Sequence, residues 1–577
     1  MTDYNKFDVR KLKGKPGKIR DWMFKHHIPP RLLFIIIGVL STIWFLVRVI
    51  PKPSRATYPC MRVAAPFMSG MIIYLLSVGG LTALSRRFNK LNVRYLSTVM
   101  LVFGVVAAMA MSPSTNLNSD QDTPIKYGPD DGPNQPVGVA QGITPGQVVW
   151  VWNPKATNPD QTNNYTMYLP ENTNLAVVYE MVQNAVKKTG GNKNLKKSWD
   201  AIFRYFNKKK NNSDKGYTKG EKVFIKINQT SINIYRANQS NGYYLPETMT
   251  QSENAKAGKS GTCETQPYIP LEIIRELVNV AGVDQKDIYI GDPMVHTYGY
   301  LCDIWRAEFP DIHIVDRQSS DFGRTLIKPT ETEVLHFSDK TGGDKLFDVI
   351  ENASYLINIA NFKPHERNGI TLTAKNHFGS QAQSSAMHLH YSLISPRVSG
   401  RPTNQGYHKY RVLVDIMGSK YLGQNTLLYI VDGLYAGGSN ESRGAVKYFM
   451  APFNNNWTNS LFMSLDQVAL ESVCFDFLRN EWDGTKTHNA SNNRYENIPN
   501  VNGVDDYLHQ AADPANWPQG ISYDPDNSGK PLTSLGIHEH WNDPVNKQYS
   551  QNLGKKNGII LVSVPDTLVR TVKSATN

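Results

Sequence analysis

The chain has 577 residues, 62 Lys and Arg against 50 Asp and Glu, a net charge of +12 and four cysteines. Cys60, Cys263, Cys302 and Cys474 contain no CxxC pair, which excludes a disulfide scaffold and any iron–sulfur or cysteine-built zinc site. Residues 1–111 carry 17 Lys and Arg and three Asp, so the rest of the chain is near −2 and the basic balance does not argue for nucleic acid as a partner.

Three apolar segments open the chain, at residues 32–50, 63–84 and 95–111. A hydrocarbon core of roughly 30 Å at about 1.5 Å per residue needs about 20 residues, and the third segment is at the short end of that range. Arg48, the one charge in the first, lies near its end, where a long side chain reaches the headgroups. Nine Lys and Arg precede the first segment and four (Arg86, Arg87, Lys90, Arg94) separate the second from the third, against three (Lys52, Arg55, Arg62) in the opposite loop. Positive loops stay inside, so the N-terminus is expected in the cytoplasm and everything after Met111 outside it. The lipid bilayer is then a partner, and the basic excess serves topology and anionic lipid. Residues 112–145, mostly Pro, Gly, Asn, Asp and Gln, read as a linker, and 146–577 as the extracytoplasmic domain.

Within that domain, strands are predicted over 148–152 (VVWVW), 222–228 (KVFIKIN), 287–290 (DIYI), 312–316 (IHIVD), 333–337 (EVLHF), 355–360 (YLINIA) and 427–432 (LLYIVD). Helices are predicted over 175–188, 198–206, 270–281, 300–309 and 465–480. The expected architecture is three N-terminal transmembrane helices followed by an α/β domain with a mainly parallel sheet covered by helices. In such sheets ligands sit beyond the C-terminal strand ends. The polar residues there are Lys226 and Asn228, Asp292, Lys363 and His365, and Asp432, with Lys375, Asn376 and His377 between the last two strands. Lys, Asn and His beside Asp292 and Asp432 suit a small anionic molecule, the carboxylates orienting the cations or holding a divalent metal. Each residue taken singly also serves as a turn or cap. His365 is the first candidate for proton transfer, because an imidazole titrates near neutrality and Lys363 stands two residues away.

The stretches EKVFIKIN, LVNVAGVDQKDIYIGDP, YLINIANFKPH, GITLTAKNHFG, YRVLVDIMG, LLYIVDGLYAG and SLDQVALESVCFDFL, in this order, resemble the family catalogued as domain of unknown function 362. The resemblance covers residues 145–561 and implies one α/β domain without an established activity. GVDDYLHQAA and SLGIHEHWNDPVNKQYSQNLG resemble a bacterial subgroup, which implies an inner-membrane protein with a periplasmic main domain. Members often carry a ferredoxin-like cysteine module; this chain has none, so no iron–sulfur cluster is expected from it. Carried over by position, the recurrent polar residues are Lys226, Asn228, Asp292, Lys363, His365, Lys375, Asn376, Asp415, Asp432 and Asp466. The order Ser464-Leu465-Asp466-Gln467 reads as a helix start, with Asp466 as its cap.

Two His-x-His pairs, His388/His390 and His538/His540, bring both imidazoles to one face only where the backbone is extended, and neither is an HExxH motif. Asp524 to Gly529 repeats the first half of a calcium loop but lacks the Glu at position 12, where Leu535 stands, and reads as a tight acidic turn. No phosphate loop and no Gly-x-Ser-x-Gly occurs. Two functions remain: a domain that binds or converts a small anionic metabolite at the strand ends, or a non-catalytic scaffold subunit whose spans dock a membrane protein partner.

Overall fold

In the computed structural model the apolar runs lie side by side in one nine-stranded sheet. The structure describes residues 134–572 apart from 162–166, 168, 230–262, 296, 298, 318–319, 321–322, 384–385, 396–402, 439–444, 487 and 489–500. The expected spans at 32–50, 63–84 and 95–111 lie outside the described residues, among which no helix is long and apolar enough to cross a membrane. The described residues all fall in one unit, Thr123–Asn577.

The strands are β1 (Gln147–Trp152), β2 (Val223–Ile227), β3 (Ile288–Gly291), β4 (His313–Asp316), β5 (Thr325–Leu326), β6 (Tyr355–Asn361), β7 (Thr426–Gly433), β8 (Ser460–Ser464) and β9 (Ile560–Val564). Across the sheet they run β9-β1-β8-β7-β6-β2-β3-β4-β5. Every neighbouring pair is parallel except the two made by β8, which opposes both β7 and β1. Four strands differ from expectation. β5, β8 and β9 are sheet strands outside the predicted ranges. The predicted strand at 333–337 shrinks to Leu335–His336, paired with Gly343–Asp344 outside the main sheet. A turn at 338–342 lets that run close on itself as a local ladder, so it needs no place in the sheet.

The sheet is buried on both faces because each strand sends alternate side chains into one of two cores. Val149 and Val151 join Ile225, Ile290, Ile357 and Ile430 on one face, while Val148 and Trp150 join Phe224, Leu356, Val431 and Phe462 on the other. Helices α1 (Leu175–Thr189), α2 (Leu195–Asn211), α3 (Tyr268–Glu276) and α4 (Gly299–Arg306) cover the first face. α1 shows why: Val178, Met181, Val182, Ala185 and Val186 recur at helical spacing and all face the sheet, and Asn174 caps the N-terminus through Val177 N–H.

The second face is covered by α5 (Thr373–Asn376), α6 (Val412–Gly418), α7 (Gln467–Glu481) and α8 (Val501–Ala512). α7 is buried almost all round, since it packs on β1 and β8 with one side and on α8 and Ile537–His538 with the other. Asp466 caps it, accepting from Ala469 N–H at 2.9 Å as the sequence order implied. Trp150 stacks on Phe462 at 6.1 Å and meets Phe477 of α7 edge-on at 4.8 Å, joining sheet to helix.

Candidate functional site

β2, β6 and β7 are neighbours at the sheet centre, and the polar residues of interest lie at their C-terminal ends. Lys226, the last lysine of an otherwise apolar strand, is fully buried and reaches Asp292 Oδ2 at 3.2 Å, just past β3. Its Nζ also donates to Asn376 Oδ1 at 3.0 Å and to its neighbour's carbonyl, Ile227 O, at 2.6 Å. Asp292 is held further by the backbone N–H groups of Gln229 (3.0 Å) and Met294 (3.2 Å). Burial pushes the Lys226 amine down and the Asp292 carboxyl up, each toward its neutral form, and each is the other's counter-charge. Asn228 Nδ2 donates to Asn376 Oδ1 at 3.3 Å. Lys226, Asn228, Asp292 and Asn376, which are up to 150 positions apart in sequence, therefore form one buried network.

His377, named from the sequence, and Asn358, Ser380 and Glu471, which were not, extend it. Asn376 Nδ2 donates to Asn358 Oδ1 (2.8 Å), Asn358 Nδ2 contacts His377 Nε2 (2.9 Å), and His377 Nδ1 contacts Ser380 Oγ (3.0 Å). Glu471 of α7 accepts from Thr373 Oγ1 and Ala374 N–H, both at 2.6 Å, and so holds the start of α5, which carries Lys375 and Asn376. The signals were single polar residues inside apolar runs: Asn358 within YLINIA and Glu471 within VALESV.

Gly379 closes over the ion pair: a methyl there would fall on the Asp292 carboxylate and within 3.0 Å of Lys226 Nζ. Gly379→Ala is accordingly expected to cost about 1–3 kcal/mol, the range for overfilling a packed interior, read as a lower urea midpoint. An unchanged midpoint would mean that the segment at 377–380 yields freely.

The second part of the site is a short hairpin in which Lys363–His365 pairs antiparallel with Gly369–Thr371. Lys363 Nζ donates to Cys263 O at 2.6 Å, and Gly437 leaves the space that the Lys363 side chain fills. His365 Nδ1 accepts the N–H groups of Arg367 and Asn368, each at 3.1 Å, which puts the ring proton on Nε2. Burial holds the His365 ring well below the usual histidine range, and Lys375, Arg367 and Lys363 push it the same way. His365 is therefore a neutral N–H donor at pH 7 and does not titrate near neutrality. Lys375 Nζ lies 3.8 Å above the Phe378 ring, Phe378 meets His390 edge-on at 5.3 Å, and His390 is 6.2 Å from His365 by ring centroid.

Asp432, at the end of β7, accepts from Gln266 N–H (2.6 Å) and Leu434 N–H (3.1 Å) while burial lifts its carboxyl to about 7. At the strand ends Asn228 Oδ1, Gln229 Oε1, Gln266 Oε1 and Asn361 Oδ1 are buried and have no hydrogen-bond partner among the described residues. Asp415 stands apart, on α6, with its carboxylate taken by Ser338 and Tyr410. His388 and His390 occupy a turn of 3₁₀-helix, not extended chain, and part company: His388 contacts Asp344, and His390 Nδ1 contacts Ala386 O at 2.9 Å. The acidic turn folds on itself as expected, Asp524 Oδ2 accepting from Gly529 N–H at 2.7 Å. Cys263, Cys302 and Cys474 are buried thiols.

Fold and strand-end network define an α/β domain whose mainly parallel sheet carries a buried polar network at its C-terminal edge. A family model described as "Domain of unknown function (DUF362)" matches residues 300–476. That segment contains Lys363, His365, Lys375, Asn376, Asp415, Asp432 and Glu471, whereas Lys226, Asn228 and Asp292 precede it. No curated protein and no solved structure matches the chain.

Proposed function

We propose that the domain, held outside the membrane by its N-terminal spans, binds a small anionic ligand beside His365 at the C-terminal edge of the sheet. The observation that carries this reading is the electrostatics of the hairpin: Lys375, Arg367 and Lys363 all act on a histidine that is itself neutral and carries its proton on Nε2. Cations and N–H donors concentrated in a partly desolvated corner favour an anion over water. The orphaned oxygens of Asn228, Gln229, Gln266 and Asn361 favour a ligand that also brings hydroxyl or amine donors, since an unmet buried acceptor costs about 1–3 kcal/mol. Lys226 is not a direct ligand in this reading, because its charge is spent on Asp292. His365 and Lys363 are the groups that a conversion of the ligand would use.

The test is a thermal-shift and calorimetric screen of the full-length chain with phosphate, sulfate and small hydroxycarboxylates at constant ionic strength. Lys375 and Arg367 are only partly buried, so Lys375→Ala and Arg367→Ala leave the packing intact. Each is expected to weaken binding of the responding anion about tenfold, or roughly 1.4 kcal/mol. If no anion shifts the wild-type midpoint, or if both variants bind as the wild type does, the reading fails.

A further inference from the structure

The pair His538/His540 does meet the condition that the His388/His390 pair misses. Val137–Gly138 pairs antiparallel with Ile537–His538, so the backbone is extended there and His538 and His540 fall on one side, with ring centroids 4.8 Å apart. Glu539, between them, points away and accepts from Ser550 N–H and Ile559 N–H. Both imidazoles face Asp505 of α8: His540 Nε2 is 2.9 Å and His538 Nε2 is 3.7 Å from Asp505 Oδ1.

We propose that Asp505, His538 and His540 form a binding site for one divalent first-row transition metal ion, held by two imidazole nitrogens and a carboxylate. The three potential ligand atoms lie within 4.8 Å of one another. An ion about 2.0–2.2 Å from each of its ligands needs them only slightly closer. The second nitrogen of each ring is already committed outward. His540 Nδ1 contacts Asp476 Oδ1 at 2.7 Å, and Asp476 is fixed in turn by Tyr549 OH (2.8 Å) and Trp541 N–H (3.0 Å). His538 Nδ1 contacts Ser472 Oγ at 2.8 Å. Ser472 and Asp476 are one turn apart on α7, so one helix face orients both rings, as outer partners of metal-bound histidines do.

The independent pointer to a cation is His538 Nε2. Ser472 donates its hydroxyl proton to Val468 O at 2.7 Å, so His538 Nδ1 is the donor in its contact with Ser472 and Nε2 is left with a bare lone pair. That nitrogen is buried, has no hydrogen-bond partner among the described residues, and faces a carboxylate oxygen. The His538 lone pair and the Asp505 oxygen thus face each other at 3.7 Å in residues that are at most 3 % exposed, an arrangement that a cation bound by both would stabilise. Arg479 Nη1 is 3.4 Å from His540 Nε2; its side chain is 13 % exposed and has solvent to withdraw into. Two histidines and one carboxylate without thiolate suit zinc, iron(II), cobalt or manganese. All three ligands lie beyond the segment that the family model matches. The ion would tie α7, α8 and the C-terminal segment together.

The test uses the full-length, untagged chain, stripped with a chelator and titrated with Co²⁺ while the visible absorption is followed, with Zn²⁺ as competitor. Wild type is expected to bind about one equivalent, and His538→Gln, whose amide keeps the Ser472 contact, to bind at least about 100-fold more weakly with an unchanged circular dichroism spectrum. Asp476→Asn, which acts through His540, is expected to weaken binding about 10–100-fold. The proposal is overturned if wild type takes up neither ion stoichiometrically, or if His538→Gln binds as tightly as wild type. Should His538→Gln not fold, the X-ray absorption edge of zinc-loaded wild type decides: two imidazole nitrogens support the site, and oxygen ligands alone overturn it.

Discussion

Lys226→Met is expected to remove about 3–5 kcal/mol of stability, because it strands the Asp292 carboxylate in the interior without its counter-charge. The loss is large against the roughly 5–15 kcal/mol that holds a typical domain together. Lys226 is fully buried and Asp292 is 3 % exposed, so neither charge has water to fall back on. The two backbone N–H groups on Asp292 remain in the variant and soften the penalty without cancelling it. The double variant Lys226→Met/Asp292→Asn is expected to regain most of the loss, since an amide accepts the same N–H donors without a charge. Urea unfolding followed by tryptophan fluorescence separates the cases. A single variant that unfolds at the wild-type urea concentration would show that the pair is solvated, and with it the idea that Lys226 is unavailable to a ligand would fall. Asn376 adds a second readout: it loses a 3.0 Å donor in Lys226→Met, and on the proposed reading an anion beside the adjacent Lys375 is then expected to bind less tightly.

The other large effect is a pH dependence that belongs to Asp415. Burial lifts this carboxyl to about 7, even though Ser338 and Tyr410 donate to it. An unfolded aspartate titrates near 3.9. The folded state therefore holds the proton more tightly, and the stabilisation is complete below about pH 4 and disappears as the pH rises through about 7. Between pH 5 and 8 this amounts to a loss on the order of 3 kcal/mol. Asp432, also lifted to about 7, acts in the same direction. The whole-protein curve hides these effects, because His365, His377 and His390 are held neutral by burial and run the other way, losing stability as the pH falls below about 6.5. The difference between Asp415→Asn and wild type isolates the aspartate. The variant is expected to gain on wild type by that amount between pH 5 and pH 8; a constant difference would place the carboxyl's titration elsewhere.

Six of the seven predicted strands occupy the sheet, because runs such as VVWVW and LLYIVD are apolar on both faces and only a doubly covered strand satisfies that pattern. β8 escaped notice because SLFMS is five residues long and gives too little period to read, and β5 is two residues whose place is set by β4 alone. The strand-end lysines, asparagines and Asp292 were legible as a set, since topology brings the ends of parallel strands together. What each does there was not legible. Lys226 and Lys363 look alike in sequence, and only the depth of Asp292 and the position of Cys263 O show one neutralised and the other beside a histidine. Asp415 carried the same polar signal as Asp432 yet lies on a helix with its own partners. Glu471 and Asn358 report on packing between layers, a relation that no local pattern encodes.

The edge of the sheet sets the order in which the protein can be completed. β1 leaves the ribosome first of the nine strands, yet its neighbours are β8 and β9; Trp150 and its partner Ser460 are separated by 310 positions. Until those strands are synthesised, QVVWVW is an unpaired apolar ribbon with both edges open, the kind of segment that recruits strands from other chains. Closing so long a loop is slow, and the central strands gain nothing on one flank until it is done. Loss of the C-terminal residues that form β9 would leave β1 paired with β8 on one side and its other edge open to strands from other chains.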